Sequence, residues 1–180
     1  MKIVLALVFS VVCFAVEITP YMSSEHDVEK ALLSVIEKET KCIRVAMYTF
    51  TNKRIAKALG AAKDRGVAVE VLVDPFTDKI SKVPGELVSF QIPVYLYNPK
   101  AQKCWTSILH HKFCLFESQQ GVWTGSYNFT YKAENSNAEN VLYITGDDNV
   151  YNTYKKEFDR IKTSRTEQVT QKEPEPKMKK

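Results

Sequence analysis

The sequence predicts an α/β fold in which a mixed β-sheet is flanked by helices within a single domain. Short apolar segments rich in β-branched and aromatic residues alternate with segments whose apolar residues recur at helical spacing. This alternation is typical of βαβ units. The chain has 180 residues, of which 44% are hydrophobic, so it can bury a substantial core in one domain.

The first residues predict an export signal. A run of apolar or small residues covers positions 3–16 and follows Met1 and Lys2. The run is shorter than the roughly 20 residues that a membrane-spanning helix needs, which favours a secretory signal ending at Ala15. A lipoprotein signal at Cys13 and an uncleaved N-terminal anchor are the alternatives. We therefore expect an exported protein that is periplasmic, secreted or membrane-associated.

The remaining elements follow from apolar periodicity, from capping residues and from glycine and proline. A helix is expected to start at Ser23 or Ser24, and Asp74 is expected to be a turn or capping residue rather than a catalytic one. The other predicted elements are an extended segment at 17–23, strands at 42–50, 67–73, 91–97 and 140–145, helices at 52–65 and 149–161, a loop or short helix at 77–85 and a loop at 98–107. Residues 16–162 form the predicted domain. Residues 163–180 contain two prolines and almost no apolar residues, so we expect a disordered basic tail.

The chemistry is concentrated in a predicted hairpin at residues 110–125 and in the turn after it. Side chains alternate faces along a strand, so His110 and Lys112 share one face and His111 points to the other. Imidazole can act as a nucleophile near neutral pH. Lys112 would stabilise negative charge, and Ser126 and Asn128 would add hydrogen bonds. This combination suits a substrate that carries a phosphate.

These motifs resemble those of the phospholipase D superfamily, most closely its small bacterial nucleases. The signature is HxK, four residues, Asp, and then GSxN after a short hairpin. His110, Lys112, Gly125, Ser126 and Asn128 match it, NAEN at 137–140 resembles the element that supplies a Glu near the histidine, and the resemblance extends over residues 16–161. The chain departs from the signature at Glu117, which replaces the Asp, and in a turn that is one residue longer.

The resemblance implies a fold, a mechanism and an assembly. The fold would be a phospholipase D-like single domain without a metal or cofactor. His110 would form a phosphohistidine, and Glu139 would orient its ring. Glu117 would be a structural pairing partner beside the site. The mechanism needs a second histidine and the chain has one HxK, so we expect a two-fold homodimer with a composite site.

The loop before the hairpin is predicted to bind substrate. No Asp or Glu lies between Glu86 and Glu117, whereas Lys100, Lys103 and Trp105 do. A basic groove with aromatic side chains is typical of single-stranded nucleic-acid binding. Single-stranded DNA is therefore the expected partner, with RNA and double-stranded DNA as alternatives.

Cysteine spacing indicates neither zinc nor a closed disulfide framework. Removal of the signal would leave Cys42, Cys104 and Cys114, an odd number without metal-binding spacing. We interpret all three as packing residues, and a disulfide that involves Cys42 or Cys104 stays open.

The predicted function is that of a metal-independent phosphodiesterase, an endonuclease that cleaves DNA and prefers single strands. A phospholipase D-type lipid hydrolase is one alternative, favoured by the apolar N-terminus and the basic tail. A non-catalytic module for DNA binding or uptake is the other, with Glu117 as a sign of lost activity.

Overall fold

The computed structural model describes residues 15–98 and 107–169. Fourteen elements follow one another along this part of the chain: β1 (Glu17–Met22), α1 (Val28–Lys38), β2 (Cys42–Met47), α2 (Lys53–Asp64), β3 (Ala68–Val73), α3 (Pro75–Ile80), α4 (Val83–Ser89), β4 (Val94–Tyr97), β5 (Lys112–Phe116), β6 (Gly121–Gly125), α5 (Tyr131–Asn135), β7 (Asn140–Thr145), α6 (Asp148–Ser164) and β8 (Thr166–Gln168). The described strands form one sheet in the order β1-β7-β6-β5-β2-β3-β4-β8. Helices pack on both faces, so the predicted fold class is confirmed.

The mixed strand directions bring several strand ends to one edge of the sheet. β2, β3 and β4 run parallel, whereas β5 runs antiparallel to β2 and pairs Lys112 with Met47. The start of β5 therefore lies beside the carboxyl ends of β2 and β3. The GSxN turn follows β6, which pairs with β5 as the predicted hairpin. This edge is where the sheet holds the candidate functional residues.

A separate hydrophobic core lies on each face of the sheet. Alternate side chains of the central strands turn to α1, α2 and α4, and the intervening ones turn to α6. The first core includes Val45, Met47, Cys114, Phe116 and Trp123, and the second includes Ala46, Leu72, Phe113, Leu115 and Phe158. Removal of this apolar surface from water is the main force that holds the layers together. It also fixes the register, because a slip by one residue would turn every side chain to the wrong face.

Helix α1 begins later than the serines predicted. Its N-cap is Asp27, whose Oδ1 accepts a hydrogen bond from Lys30 N–H at 2.8 Å. Ser23 lies in the preceding turn, and its hydroxyl donates to the carbonyl oxygen of Asn137 at 3.0 Å. The prediction failed because serine is a good cap by type, whereas here its hydroxyl is used in a tertiary contact.

The predicted disorder of the C-terminal tail is wrong for its first residues. α6 continues to Ser164, and β8 then pairs antiparallel with β4, with Tyr97 opposite Thr166 and Tyr95 opposite Gln168. The polar composition of β8 gives no apolar signal. Its order comes from backbone groups of β4 that would otherwise lack partners. Residues 170–180 lie outside the described residues.

Two further sequence predictions concern the termini and the cysteines. The predicted signal segment lies outside the described residues apart from Ala15. In the described ranges, no helix is both long and apolar enough to cross a bilayer. Cys42 and Cys114 are buried free thiols within the packed sheet, and burial raises the pKa of Cys42 to about 11. Cys104 lies outside the described residues.

Candidate active site

His110 and Lys112 meet at the start of β5. Lys112 Nζ donates a hydrogen bond to the carbonyl oxygen of His110 at 2.9 Å and lies 3.4 Å from His110 Nε2. The imidazole is exposed, whereas the lysine is half-buried. Burial lowers the pKa of Lys112, and the carboxylate of Glu139 acts in the opposite direction. An accessible imidazole is thus held next to a fixed ammonium group.

Tyr48 forms the wall beside both groups. Its ring centroid lies 4.8 Å from that of His110, and Lys112 Nζ lies 5.3 Å from the same ring. The second distance is within the range of a cation–π interaction. Tyr48 N–H donates to the carbonyl oxygen of His111 at 2.8 Å, which ties this wall to the HxK segment. Sequence reasoning missed Tyr48, although it lies within residues 16–161, over which the resemblance extends.

The GSxN turn requires its glycine. A Cβ on Gly125 would lie 2.1 Å from the carbonyl oxygen of Asn140, so the two backbones can approach only without a side chain. Ser126 Oγ donates to Glu139 Oε2 at 2.5 Å and accepts from Asn140 N–H at 3.0 Å. These bonds fix the turn against the start of β7.

Asn128 is oriented by the segment that carries Tyr48. Its Oδ1 accepts from Thr49 N–H at 3.3 Å. Within the described residues its amide NH₂ has no hydrogen-bond partner. The donor end of Asn128 therefore remains free for a substrate oxygen.

Glu139 lies near Lys112 but is not bonded to His110. Its carboxylate accepts from Ser126 and, at 2.8 Å, from Asn137 Nδ2. Its own N–H donates to Ser23 Oγ at 2.8 Å. No hydrogen bond joins it to His110 in the part of the chain that the structure describes. Its predicted role in orienting His110 stays a prediction.

Glu117 lies at the opposite end of β5 from the site. Its Oε2 lies 3.2 Å from Arg44 Nη1, and Arg44 Nε lies 3.6 Å from Glu70 Oε2. A strand rises about 3.3 Å per residue, so Glu117 is roughly 16 Å along the chain from Lys112. The expected position beside the site is therefore wrong, because the hairpin extends away from the sheet edge. Glu117 does form an ion pair, as expected of a structural pairing partner.

His111 turns to the other face, as strand alternation predicts. Its Nε2 lies 3.5 Å from Glu157 Oε1 on α6, and its ring packs on Phe113.

Two open clefts of about 410 and 460 Å³ border both His110 and His111. One lies beside Tyr97 and the C-terminal part of α6, and the other lies along β5 and β6. Clefts of this size can hold a ligand as large as a nucleotide.

Asp74 caps α3 and also holds the segment before His110. Its Oδ1 accepts from Phe76 N–H at 2.9 Å, and its Oδ2 accepts from Leu109 N–H at 2.9 Å. The predicted capping role is confirmed, and the second bond is a contact that the sequence did not indicate.

Lys100, Lys103 and Trp105 lie outside the described residues, so their predicted binding role stays a prediction. Across residues 15–98 and 107–169, no three His, Cys, Asp or Glu side chains are grouped so that they could hold a metal ion.

Comparison with known proteins gives consistent matches. The family model described as "Cardiolipin synthase, PLD-like domain" matches residues 32–162. The mitochondrial cardiolipin hydrolase of Xenopus laevis is 31% identical over 122 residues, which are 67% of this chain and 54% of that protein. The phospholipase D of Rickettsia prowazekii is 33% identical over 117 residues, 64% of this chain and 53% of that protein. The chain thus spans about half the length of these relatives.

Solved structures of small proteins match over nearly their full length. The structure of Nuc from Salmonella typhimurium, titled a phospholipase D family member, has a TM-score of 0.76 and 25% identity, and the match covers 86% of this chain and 99% of Nuc. NucT from Helicobacter pylori has a TM-score of 0.75 and 22% identity, with coverage of 84% and 99%. The second match supports the fold alone.

Proposed function

Because the chain belongs to the phospholipase D superfamily, whose members are phosphodiesterases, we propose that it is a metal-independent phosphodiesterase that cleaves DNA internally and prefers single strands. The observation that carries the proposal is the exposed His110 imidazole, 3.4 Å from Lys112 Nζ at the edge of the sheet. The free amide of Asn128 lies on the adjoining turn. Together they offer a nucleophile, a cation and a neutral donor to one phosphate.

In the first step, Nε2 of neutral His110 forms a bond to phosphorus as the bond from phosphorus to the leaving oxygen breaks. A second, protonated imidazole gives its proton to that oxygen. Lys112 and Asn128 stabilise the charge that builds on the non-bridging oxygens. The product of this step is a phosphohistidine and a free hydroxyl group.

In the second step, water attacks the phosphohistidine. The second imidazole, now neutral, accepts a proton from the water, and the bond from phosphorus to nitrogen breaks. The phosphate monoester leaves and both histidines return to their starting states.

The second imidazole is proposed to be the partner subunit's His110 in a two-fold homodimer. His111 is turned to Glu157 on the other face, and His26 packs against Tyr21. An isologous contact is the commonest way in which identical subunits associate. Glu139 accepts hydrogen bonds from Ser126 and Asn137 and acts electrostatically on Lys112, and we propose that it orients the ring of His110 during the reaction.

The test is His110→Ala with His111→Ala as the matched control. Each purified variant is incubated in chelator with single-stranded DNA, double-stranded DNA, RNA and phospholipid vesicles. We expect His110→Ala to lose about 10³-fold or more in turnover while it still binds DNA, as is usual for loss of a nucleophile. His111→Ala should retain turnover. Equal activity of the two variants would contradict the nucleophile assignment.

The composite site is tested by mixing subunits. An increasing excess of His110→Ala is allowed to exchange with wild-type protein. Specific activity per wild-type subunit should fall as mixed dimers form. A constant value, or full activity of a strictly monomeric species, would contradict the homodimer.

A lipid phosphodiester is the second candidate substrate, as the names of the cardiolipin hydrolase and phospholipase D relatives suggest. Phe76 and Ile108 are exposed apolar residues in the two segments that Asp74 holds together. They would favour an apolar substrate or association with a membrane. The proposed export of the protein is compatible with either substrate. Hydrolysis of vesicles without cleavage of nucleic acid would decide for lipid. If the wild type binds DNA without turnover, and His110→Ala binds DNA equally well, the protein is a non-catalytic binding module.

A further inference from the structure

Two aromatic side chains stand side by side next to the candidate nucleophile. Tyr48 follows β2 and Phe76 lies in the first turn of α3 after β3, so the parallel strands bring both to one sheet edge. Their rings are nearly parallel, at 14°, with centroids 6.1 Å apart. The Phe76 side chain is 46% exposed, and the centroid of the Tyr48 ring lies 4.8 Å from that of His110. An exposed aromatic surface thus continues directly from the phosphate-binding groups.

Buried polar side chains hold this surface rigid. Thr77, which is fully buried, donates from Oγ1 to the carbonyl oxygen of Tyr48 at 2.9 Å and accepts from Phe50 N–H at 3.2 Å. Asp74 binds the N–H groups of Phe76 and Leu109. The backbone segments that carry the two aromatic rings and the residue before His110 are therefore fixed relative to one another. A ring that served only as surface would not need this support, whereas a preorganised binding surface does.

We propose that Tyr48 and Phe76 form a stacking subsite for the nucleobase next to the scissile phosphate. The inference rests on the proposed nuclease function and specifies how that site selects its substrate. Every base has a π-face, so the subsite accepts any sequence. A base in a duplex is already stacked and paired, and unpaired bases reach the rings more easily. The subsite thus supplies a physical reason for preference for single strands.

The test uses a substrate with one cleavable bond. Thymidylyl-thymidine is compared with two analogues in which either the 5′ or the 3′ base is replaced by hydrogen. Stacking is worth about 1 to 3 kcal/mol per base, which corresponds to about 5- to 150-fold in kcat/KM. We expect the wild type to lose this factor on deletion of one of the two bases.

Phe76→Leu keeps an apolar side chain of similar reach but removes the ring. This variant should lose part of that factor with the intact dinucleotide, because Tyr48 remains, and base deletion should cost it correspondingly less than it costs the wild type. Phe76→Trp should retain the wild-type rate. Ile80→Ala is the matched control, because Ile80 is 50% exposed on the same helix and outside the site. It should leave every rate unchanged.

The possible results distinguish failure of the stacking subsite from failure of the proposed nuclease function. If the wild type cleaves neither the dinucleotide nor single-stranded DNA, the nuclease function fails and the subsite with it. If it cleaves the intact and both base-deleted substrates equally well, and Phe76→Leu matches it, the function stands and the subsite is refuted. Hydrolysis of cardiolipin vesicles that falls in both Phe76→Leu and Ile80→Ala, with no effect of base deletion, would assign the surface to acyl chains and refute it as well.

Discussion

Glu39 holds the tip of the β5–β6 hairpin through a fully buried carboxylate. Its Oε1 accepts from the backbone N–H groups of Thr40 at 3.0 Å, Lys41 at 2.7 Å, Cys42 at 3.2 Å and Ser118 at 2.9 Å. Its Oε2 accepts from Ser118 N–H at 3.1 Å and from Gln119 Nε2 at 3.3 Å. Residues from two distant parts of the chain thus depend on one ionised side chain.

Glu39→Gln tests what this carboxylate contributes. The amide oxygen can accept from one group of donors, but the amide NH₂ then faces N–H donors where Oε2 accepted them. Hydrogen bonds to a charged group contribute about 1.5 to 3 kcal/mol each, and an unpaired buried donor costs about 1 to 3 kcal/mol. We expect a loss of about 3 kcal/mol in the free energy of unfolding. For a chain of this size that is a fall of about 6 to 12 °C in Tm.

The pH dependence gives a second readout. Burial opposes ionisation of Glu39, but the backbone hydrogen bonds from Lys41 and Ser118 and the side-chain bonds outweigh it, and its pKa lies below the usual value. The stabilisation linked to this shift is therefore complete above the unfolded-state pKa near 4.3 and is lost as pH falls through the folded-state pKa. The Tm difference between wild type and Glu39→Gln should be constant near neutrality and shrink below about pH 4.

Thermal unfolding followed by circular dichroism at pH 7 and across the acid range measures both effects. Glu37→Gln, which changes an exposed carboxylate in the last turn of α1, is the control and should stay within about 0.5 kcal/mol of wild type. A Glu39→Gln variant as stable as this control at pH 7 would refute the reasoning.

Three other predictions concern activity. Cleavage should survive EDTA, because Lys112 supplies the positive charge that a metal would bring to the phosphate; loss in chelator and recovery with Mg²⁺ or Zn²⁺ would contradict the metal-independent mechanism. Affinity for single-stranded DNA should fall steeply with salt, with a shallower slope for Lys103→Ala and weaker binding for Trp105→Ala; an unchanged slope and affinity would leave the loop without a binding role. Glu117→Asp should leave kcat unchanged and alter stability by at most about 1 kcal/mol, since Glu117 pairs with Arg44 away from the site; a large fall in kcat would show that the acid acts in catalysis.

The sequence predicted the superfamily and the mixed sheet, and both are confirmed. Local rules were sufficient for the hairpin and for the residues that lead into β5, where Lys112 and His111 turn to opposite faces. The same rules identified Asn52 as the start of a helix, and it caps α2. These features depend on residues that are neighbours in sequence.

Features that depend on distant contacts could not be predicted in the same way. The two hydrogen bonds of Asp74 join α3 to a segment 35 residues later, and only the first is local enough to follow from capping rules. The hydrogen bonds of Glu39 to Ser118 span 79 residues. Tyr48 has the composition of an ordinary strand residue, and its position beside His110 results from the antiparallel pairing of β2 with β5. In each case the fold determines the role, and the residue type alone does not.

β8 covers an edge of the sheet that β4 would otherwise form. β8 occupies the side of β4 that would otherwise offer free N–H and C=O groups to another molecule. A chain shortened after Lys162 would keep the candidate active site and lose this cover. Tyr95 and Tyr97 would then lie on an open strand, and such strands template pairing between molecules. We therefore expect the short polar segment that follows α6 to hinder pairing of β4 with a strand of another molecule.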